Sequence, residues 1–168
     1  MHSNKFITLI ILSIILFFVY YSIISAPNVS DEEYTYLGGL TWHNQYDDAV
    51  EVSLGGDRPI LIYFWAIWCK YCENLHTEVY PDFEVSKYLQ ENFILLAIDL
   101  DEDRELSKKF GVQFPPHLIF VSSKGDVITR IPGGISKEEF LFVLERIVKH
   151  KDYDIGISSN NLAQTRER

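Results

Sequence analysis

A chain of 168 residues, 47% of them apolar, is long enough for one ordinary domain plus appendages. Its formal net charge of −9 argues against a nucleic-acid binder, which needs a basic face to release counterions. The same charge disfavours docking on anionic lipid headgroups and favours solubility.

Residues 6–26 read FITLIILSIILFFVYYSIISA without a single charge. A bilayer span needs about 20 apolar residues. A cleaved secretory signal is the alternative, since Ser25 and Ala26 imitate a cleavage site. Its apolar core would be shorter, about 7–15 residues, and Pro27 follows at once. The expectation is an uncleaved N-terminal transmembrane helix at 6–26, with residues 1–5 cytoplasmic. Lys5 precedes the span, and Asp31, Glu32 and Glu33 follow it. The positive-inside rule then places the domain on the extracytoplasmic side. The sequon Asn28-Val29-Ser30 sits too close to the span to serve as a glycosylation site.

Residues 27–41 are expected to be a linker, with at most a short strand at YTYLGGL. Tyr46, Ala49, Val50 and Leu54 recur at helical spacing and predict a helix over 42–54, stopped by Gly55-Gly56. PILIYFW, residues 59–65, is the nearly unbroken apolar run of a strand buried on both faces. A helix is expected from Cys69 to about Val79, broken by Pro81. Asp82 caps a second segment through Leu89, with Phe83, Val85 and Leu89 facing inward.

NFILLAID, residues 92–99, predicts another buried strand. Asp101 is expected to cap a short helix to Phe110, closed by Gly111. Residues 117–121 and 127–131 then read as two strands of a hairpin, turned at 122–125. Ser136-x-x-Glu139 is a capping box opening a last helix that packs Phe140, Leu141, Leu144, Ile147 and Val148 inward. From 151 to 168 the chain is polar and aperiodic, the pattern of a disordered tail, which bounds the domain at 42–150. Helices alternating with buried strands predict an α/β class: a central mixed β-sheet flanked by helices.

Cys69 and Cys72 are the only cysteines, in FWAIWCKYCENLH. A bridge closing so short a loop gains little entropy in the unfolded chain, so a purely structural staple is a poor reading. In a βαβ setting, C-x-x-C is a redox signal. Two other readings fit the same residues. Cys69, Cys72, His76 and His117 have the donor types of tetrahedral zinc or of copper(I). A non-catalytic chaperone or docking module is the other. DLDEDRE, residues 99–105, lacks the ligand spacing of a calcium loop.

FWAIWCKYC, then GVQFPPHLIF, then the Lys124-Gly125 turn resemble, in that order, the thioredoxin superfamily over residues 42–147. Within it, YDDAV and WCKYCENLHTEVYPDFEVSKYLQENFILLAIDLDED are most similar to the C-terminal domain of the thiol:disulfide interchange protein DsbD. The resemblance implies a thioredoxin-like fold, preceded here by the transmembrane helix. It implies Cys69 at a helix N-terminus with Cys72 one turn deeper, and a redox-active Cys69–Cys72 disulfide in place of any cofactor or metal. Pro116 falls at the cis-proline that guides substrate peptides. The implied partners are protein thiols and disulfides and an integral-membrane electron donor, with no nucleic acid.

The chemistry follows from those positions. The thiolate is the attacking species. Unpaired backbone N–H groups, the helix macrodipole and Lys70 favour it at Cys69, while Glu73 opposes. Cys72, three residues on, faces the same way and can resolve a mixed disulfide. Trp65 and Trp68 are apolar walls, and Trp68 is a contact surface for substrate. Lys70 and Tyr71, between the cysteines, leave the reduction potential open.

Two family carboxylates are missing. The buried Asp expected six residues before the first cysteine is Tyr63, and the acid expected four residues after the second is His76. His76 shares a helical stripe with both cysteines and titrates near neutrality, which makes it a candidate base for Cys72. The alternative is a histidine that only packs; Glu73 is a second candidate base. Pro115, before the cis-proline, has no N–H for an extended substrate, which shifts recognition toward Trp68, Phe114 and His117. The expected function is a membrane-tethered thiol–disulfide oxidoreductase that reduces or relays electrons to extracytoplasmic protein disulfides.

Overall fold

The computed structural model describes the backbone at residues 3–24 and 34–149, and side chains at 10–21 and 34–149. The sequon at 28–30 and the tail from 151 lie outside the described residues. The chain divides into two units, Met1–Asp31 and Glu32–Arg168.

In the first unit, α1 spans Ser3–Ile24, 22 residues. Its side chains from Ile10 to Tyr21 are exposed all round. Among the described residues no helix is long and apolar enough to cross a membrane; for α1 the described side chains cover only 10–21.

The second unit is built on one six-stranded sheet. Its strands are β1 (Tyr34–Leu37), β2 (Leu40–His43), β3 (Ile60–Trp65), β4 (Ile94–Asp99), β5 (His117–Val121) and β6 (Val127–Pro132). They lie in the order β1-β2-β4-β3-β5-β6. β2–β4 and β3–β4 are parallel, and the other neighbours are antiparallel. The helices are α2 (Tyr46–Gly56), α3 (Lys70–Asn74), α4 (Phe83–Asn92), α5 (Arg104–Phe110) and α6 (Lys137–Lys149), and a π-helical turn over Leu75–Val79 continues α3.

The unbroken apolar runs are explained by burial on both faces. Successive strand side chains point to opposite sides. Leu61, Tyr63, Leu95, Ala97, Leu118 and Phe120 fill one core with residues of the α3–π segment, α4 and α6. Ile60, Ile62, Phe64, Leu96, Ile98 and Ile119 fill the other with α2 and α5.

Several local expectations are corrected. In segment 27–41, expected as a linker with a short strand at YTYLGGL, the strand forms as β1, and the segment also contributes the start of β2. Trp42 sits in β2 and not in the first helix. Leu40 and Trp42 are buried while Thr41 is exposed, so a period of two overrides the helical one. The Trp42 indole N–H donates to the Leu37 carbonyl at 3.1 Å. Gly38 and Gly39 make the turn, both with positive φ. The first helix therefore starts at Tyr46, and its Leu54 is exposed.

Asp82 caps α4 as expected, accepting from the Glu84 and Val85 N–H groups at 3.0 and 3.2 Å. Val85 and Leu89 are buried, but Phe83 faces solvent at the first turn. The cap of α5 is Asp103, not Asp101: its Oδ1 accepts from the Leu106 N–H at 2.8 Å. Asp99 takes up the Asp101 N–H at 2.8 Å, so the chain turns once more before the helix begins. In α6 the capping box forms, with the Glu139 N–H donating to Ser136 Oγ at 3.3 Å. Phe140, Leu144 and Ile147 are buried, joined by Val143, while Leu141 and Val148 are half-buried.

Candidate active site

β3 ends at Trp65, and the chain reaches Cys69 through a short loop in which Ala66 is buried and Ile67 and Trp68 are exposed. Cys69 is the N-cap of α3: its Sγ accepts from the Cys72 N–H at 3.1 Å, and its carbonyl accepts from the same group at 3.0 Å. A sulfur in that place meets an otherwise unpaired helix-end donor, a contact that favours negative charge. Cys69 and Cys72 are joined as a disulfide, with S–S 2.02 Å. Cys69 is 8% exposed and Cys72 only 1%, so the first sulfur is the more accessible.

β5 begins at His117, which pairs with Phe64 of β3 and Pro132 of β6. This register brings the segment before His117 to the same end of the sheet as the cysteine loop. The Pro115–Pro116 peptide is cis. Pro116 is buried and Pro115 half-buried, and the Pro116 carbonyl accepts from the Gly133 N–H at 2.8 Å. Pro115 carries no donor.

Large apolar side chains stand exposed at this end: Ile67, Trp68, Tyr71 and Phe114. Trp68 is fixed at its polar edge, where the indole N–H donates to Asp101 Oδ2 at 2.7 Å. In the sequence Asp101 reads only as a helix cap in a charge cluster. Nothing in its spacing signals this contact, which needs the β3 and β4 loops to be neighbours. Lys70, Tyr71 and Glu73 are exposed.

A cleft of about 560 Å³ opens beside the disulfide, lined by Leu37, Trp65, Cys69, Cys72, Glu73 and His76 among others. His76 is half-buried, in the π-helical turn. Its Nε2 lies 3.0 Å from the Tyr63 hydroxyl. The two positions that replace the family's carboxylates are therefore hydrogen-bonded to each other. The sequence treated them as separate departures, because one lies on a strand and the other on the following helix. Burial lowers the pKa of His76 and raises that of Tyr63 well above the ordinary phenol. The Trp65 ring packs edge-on to His76 at 6.0 Å.

The hairpin turn closes this cluster from the β1–β2 side. A Cβ on Gly38 would stand 2.8 Å from Tyr80 Cβ and 3.2 Å from His76 Cα. His117 is half-buried, and its pKa is lowered by burial and then by the charge of Arg130. Its Nε2 is buried without a hydrogen-bond partner among the described residues. Among the described residues, no three His, Cys, Asp or Glu side chains are grouped to hold a metal ion, so Cys69, Cys72, His76 and His117 do not converge as a ligand set.

Known proteins resemble this chain in sequence and fold. The chain is 34% identical over 92 residues to the protein disulfide-isomerase erp38 of Neurospora crassa, covering 54% of this chain and 24% of that protein. It is 31% identical over 107 residues to the thiol:disulfide interchange protein DsbD of Ralstonia nicotianae, covering 61% of this chain and 18% of that one. The chain thus spans a quarter or less of these two relatives. The oxidised C-terminal domain of Neisseria meningitidis DsbD superposes with a TM-score of 0.52 at 25% identity, covering 60% of this chain and 90% of that domain. A family model described as a thioredoxin-like domain matches residues 46–147. That match takes in most of the sheet, the cysteine loop and the cis-proline, and by it the chain belongs to the thioredoxin-like family.

Proposed function

We propose that the protein is a membrane-tethered thiol–disulfide oxidoreductase that reduces protein disulfides or relays electrons to them. The observation that carries this reading is the paired sulfurs at a helix cap, Cys69 the more exposed and Cys72 sheltered, at the sheet end that holds cis-Pro116. The names of the relatives support the same chemistry.

The cycle starts from the reduced pair. Cys69 thiolate attacks a substrate disulfide; a Cys69–substrate bond forms and the substrate's other sulfur leaves with the electron pair. Cys72 thiolate then attacks Cys69 Sγ, reforms the Cys69–Cys72 bond and releases the second substrate sulfur. Two electrons have passed to substrate, and a partner dithiol restores the pair. Trp68, Phe114 and Pro115 offer apolar contact to a substrate peptide. Without a donor at Pro115, recognition leans on side chains.

The tether is α1. Residues 6–26 carry no charge, and their helical part, 6–24, reaches roughly 28 Å, close to the thickness of a bilayer's apolar layer. Lys5 and the acidic residues 31–33 orient the domain to the extracytoplasmic side. There an integral-membrane dithiol is the fitting electron donor, because the anchor raises their effective concentration.

The test is capture. In membranes, Cys72→Ser is expected to accumulate mixed disulfides through Cys69, and Cys69→Ser to accumulate none. Equal trapping by both variants, or by neither, refutes the proposed roles. Equilibration of the wild type with glutathione gives the direction: a potential below that of the compartment's disulfide pool is expected for a reductant.

A further inference from the structure

Tyr63 is fully buried, and its hydroxyl has one hydrogen-bond partner among the described residues, His76 Nε2. A buried O–H without an acceptor is costly, whereas spare lone pairs on an oxygen are tolerated better. The hydroxyl therefore donates and Nε2 accepts. A neutral imidazole has one N–H, which this arrangement puts on Nδ1. Nδ1 has no protein partner among the described residues, and the ring lines the cleft that it shares with Cys69 and Cys72.

We propose that Tyr63 holds His76 as the Nδ1–H imidazole, so that His76 serves the Cys72 thiolate as a hydrogen-bond donor and not as a base. Tyr63 is then a positioning residue acting through His76. In the resolving step Cys72 gives its proton to cleft water. The resulting thiolate, met by Nδ1–H, attacks Cys69 Sγ; the Cys69–substrate bond breaks, and the substrate sulfur takes the electron pair and a proton from water. The inference rests on the Cys69–Cys72 cycle proposed above, although the tautomer does not.

Other groups around the ring are consistent with a neutral imidazole. Tyr80 is buried beside it, and the hairpin tip offers only Leu37 and Gly38. Lys70 and Glu73, the charged residues lining the cleft, are of opposite sign and exposed. Burial of His76 works in the same direction.

The experiment has two readouts on the reduced full chain in detergent micelles. The first is nitrogen NMR with labelled histidine. His76 is expected to carry its proton on Nδ1, and Tyr63→Phe is expected to mix the tautomers. A proton on Nε2 in the wild type, or an unchanged spectrum in Tyr63→Phe, overturns the inference. The second is single-turnover release of a peptide thiol from the Cys69 mixed disulfide. His76→Ala is expected to slow release about tenfold, the size of one hydrogen bond to a charged group. His76→Gln, which keeps a donor but cannot act as a base, is expected to stay within about threefold of wild type. Gln as slow as Ala overturns the donor role. Failure of Cys72→Ser to trap substrate sinks the catalytic cycle instead, and leaves the NMR result to stand separately.

Discussion

Trp68 and Asp101 join two loops: the indole N–H of one donates to the carboxylate of the other at 2.7 Å. Trp68 is 61% exposed, so the bond sets where the ring stands over the cysteine loop more than it holds the fold together. Asp101→Ala is expected to change stability by no more than about 1 kcal/mol, because the bond is exposed. Mixed-disulfide formation by Cys69 is expected to slow several-fold as the ring loses its place. Urea unfolding and stopped-flow reduction of a peptide disulfide measure the two.

The two half-buried histidines give stability a defined pH dependence. His76 and His117 both have folded pKa values below the ordinary imidazole, chiefly through burial. The unfolded chain, with values near 6.5, therefore binds more protons than the folded one just below that pH. Stability is complete above about pH 6.5 and declines as pH falls, until the folded rings themselves protonate. Asp82, held low first by the Val85 N–H, acts only in the carboxylate range. Denaturation midpoints between pH 8 and pH 5 are expected to fall on the acid side, and to fall less in a His76→Asn, His117→Asn double variant.

Unequal exposure predicts unequal labelling. With Cys69 at 8% and Cys72 at 1%, an alkylating agent is expected to modify Cys69 of the reduced protein at least about tenfold faster, since access favours it. Peptide mapping after a short pulse reads the ratio directly.

Gly38 combines a positive φ of 57° with a contact that leaves no room for a side chain. Gly38→Ala is expected to destabilise the domain by about 1–3 kcal/mol, from backbone strain plus overpacking. It should also shift the ring resonances of His76, whose Cα lies against the turn. Thermal melts and NMR of the variant check both.

Pro115→Thr restores a backbone N–H before cis-Pro116. Extended peptide disulfides are expected to bind several-fold tighter, by one added hydrogen bond. Titration of a Cys69→Ser, Cys72→Ser form with a model peptide measures it; unchanged affinity would mean that Pro115 only stiffens the loop.

Much of this was legible in the chain. PILIYFW and NFILLAID read as strands buried on both faces because both faces of the sheet are covered. Asp82 and Ser136 announced their helices through local caps, which need no tertiary knowledge. YTYLGGL hints at β1, but β2 escapes the sequence because the Tyr46–Val50 helical pattern draws Trp42 into the wrong element, and four-residue strands leave a weak period. Asp103 was passed over because three nearby aspartates can each cap, and the choice depends on Asp99 turning back on the Asp101 N–H. The Tyr63–His76 bond was invisible for a different reason: it links a strand to a helix, and only their packing sets the distance.

The antiparallel run of β5 separates the molecule's working end from a quiet one. His117 stands beside the cysteine loop, while Val121, at the other end of the strand, leads into the Ser122–Gly125 turn, where the Gly125 N–H donates to Ser122 O at 2.9 Å. The four residue steps between them put these ends roughly 13 Å apart. An epitope or fluorophore spliced in at Lys124–Gly125 would therefore report on the protein in living cells without disturbing its sulfur chemistry.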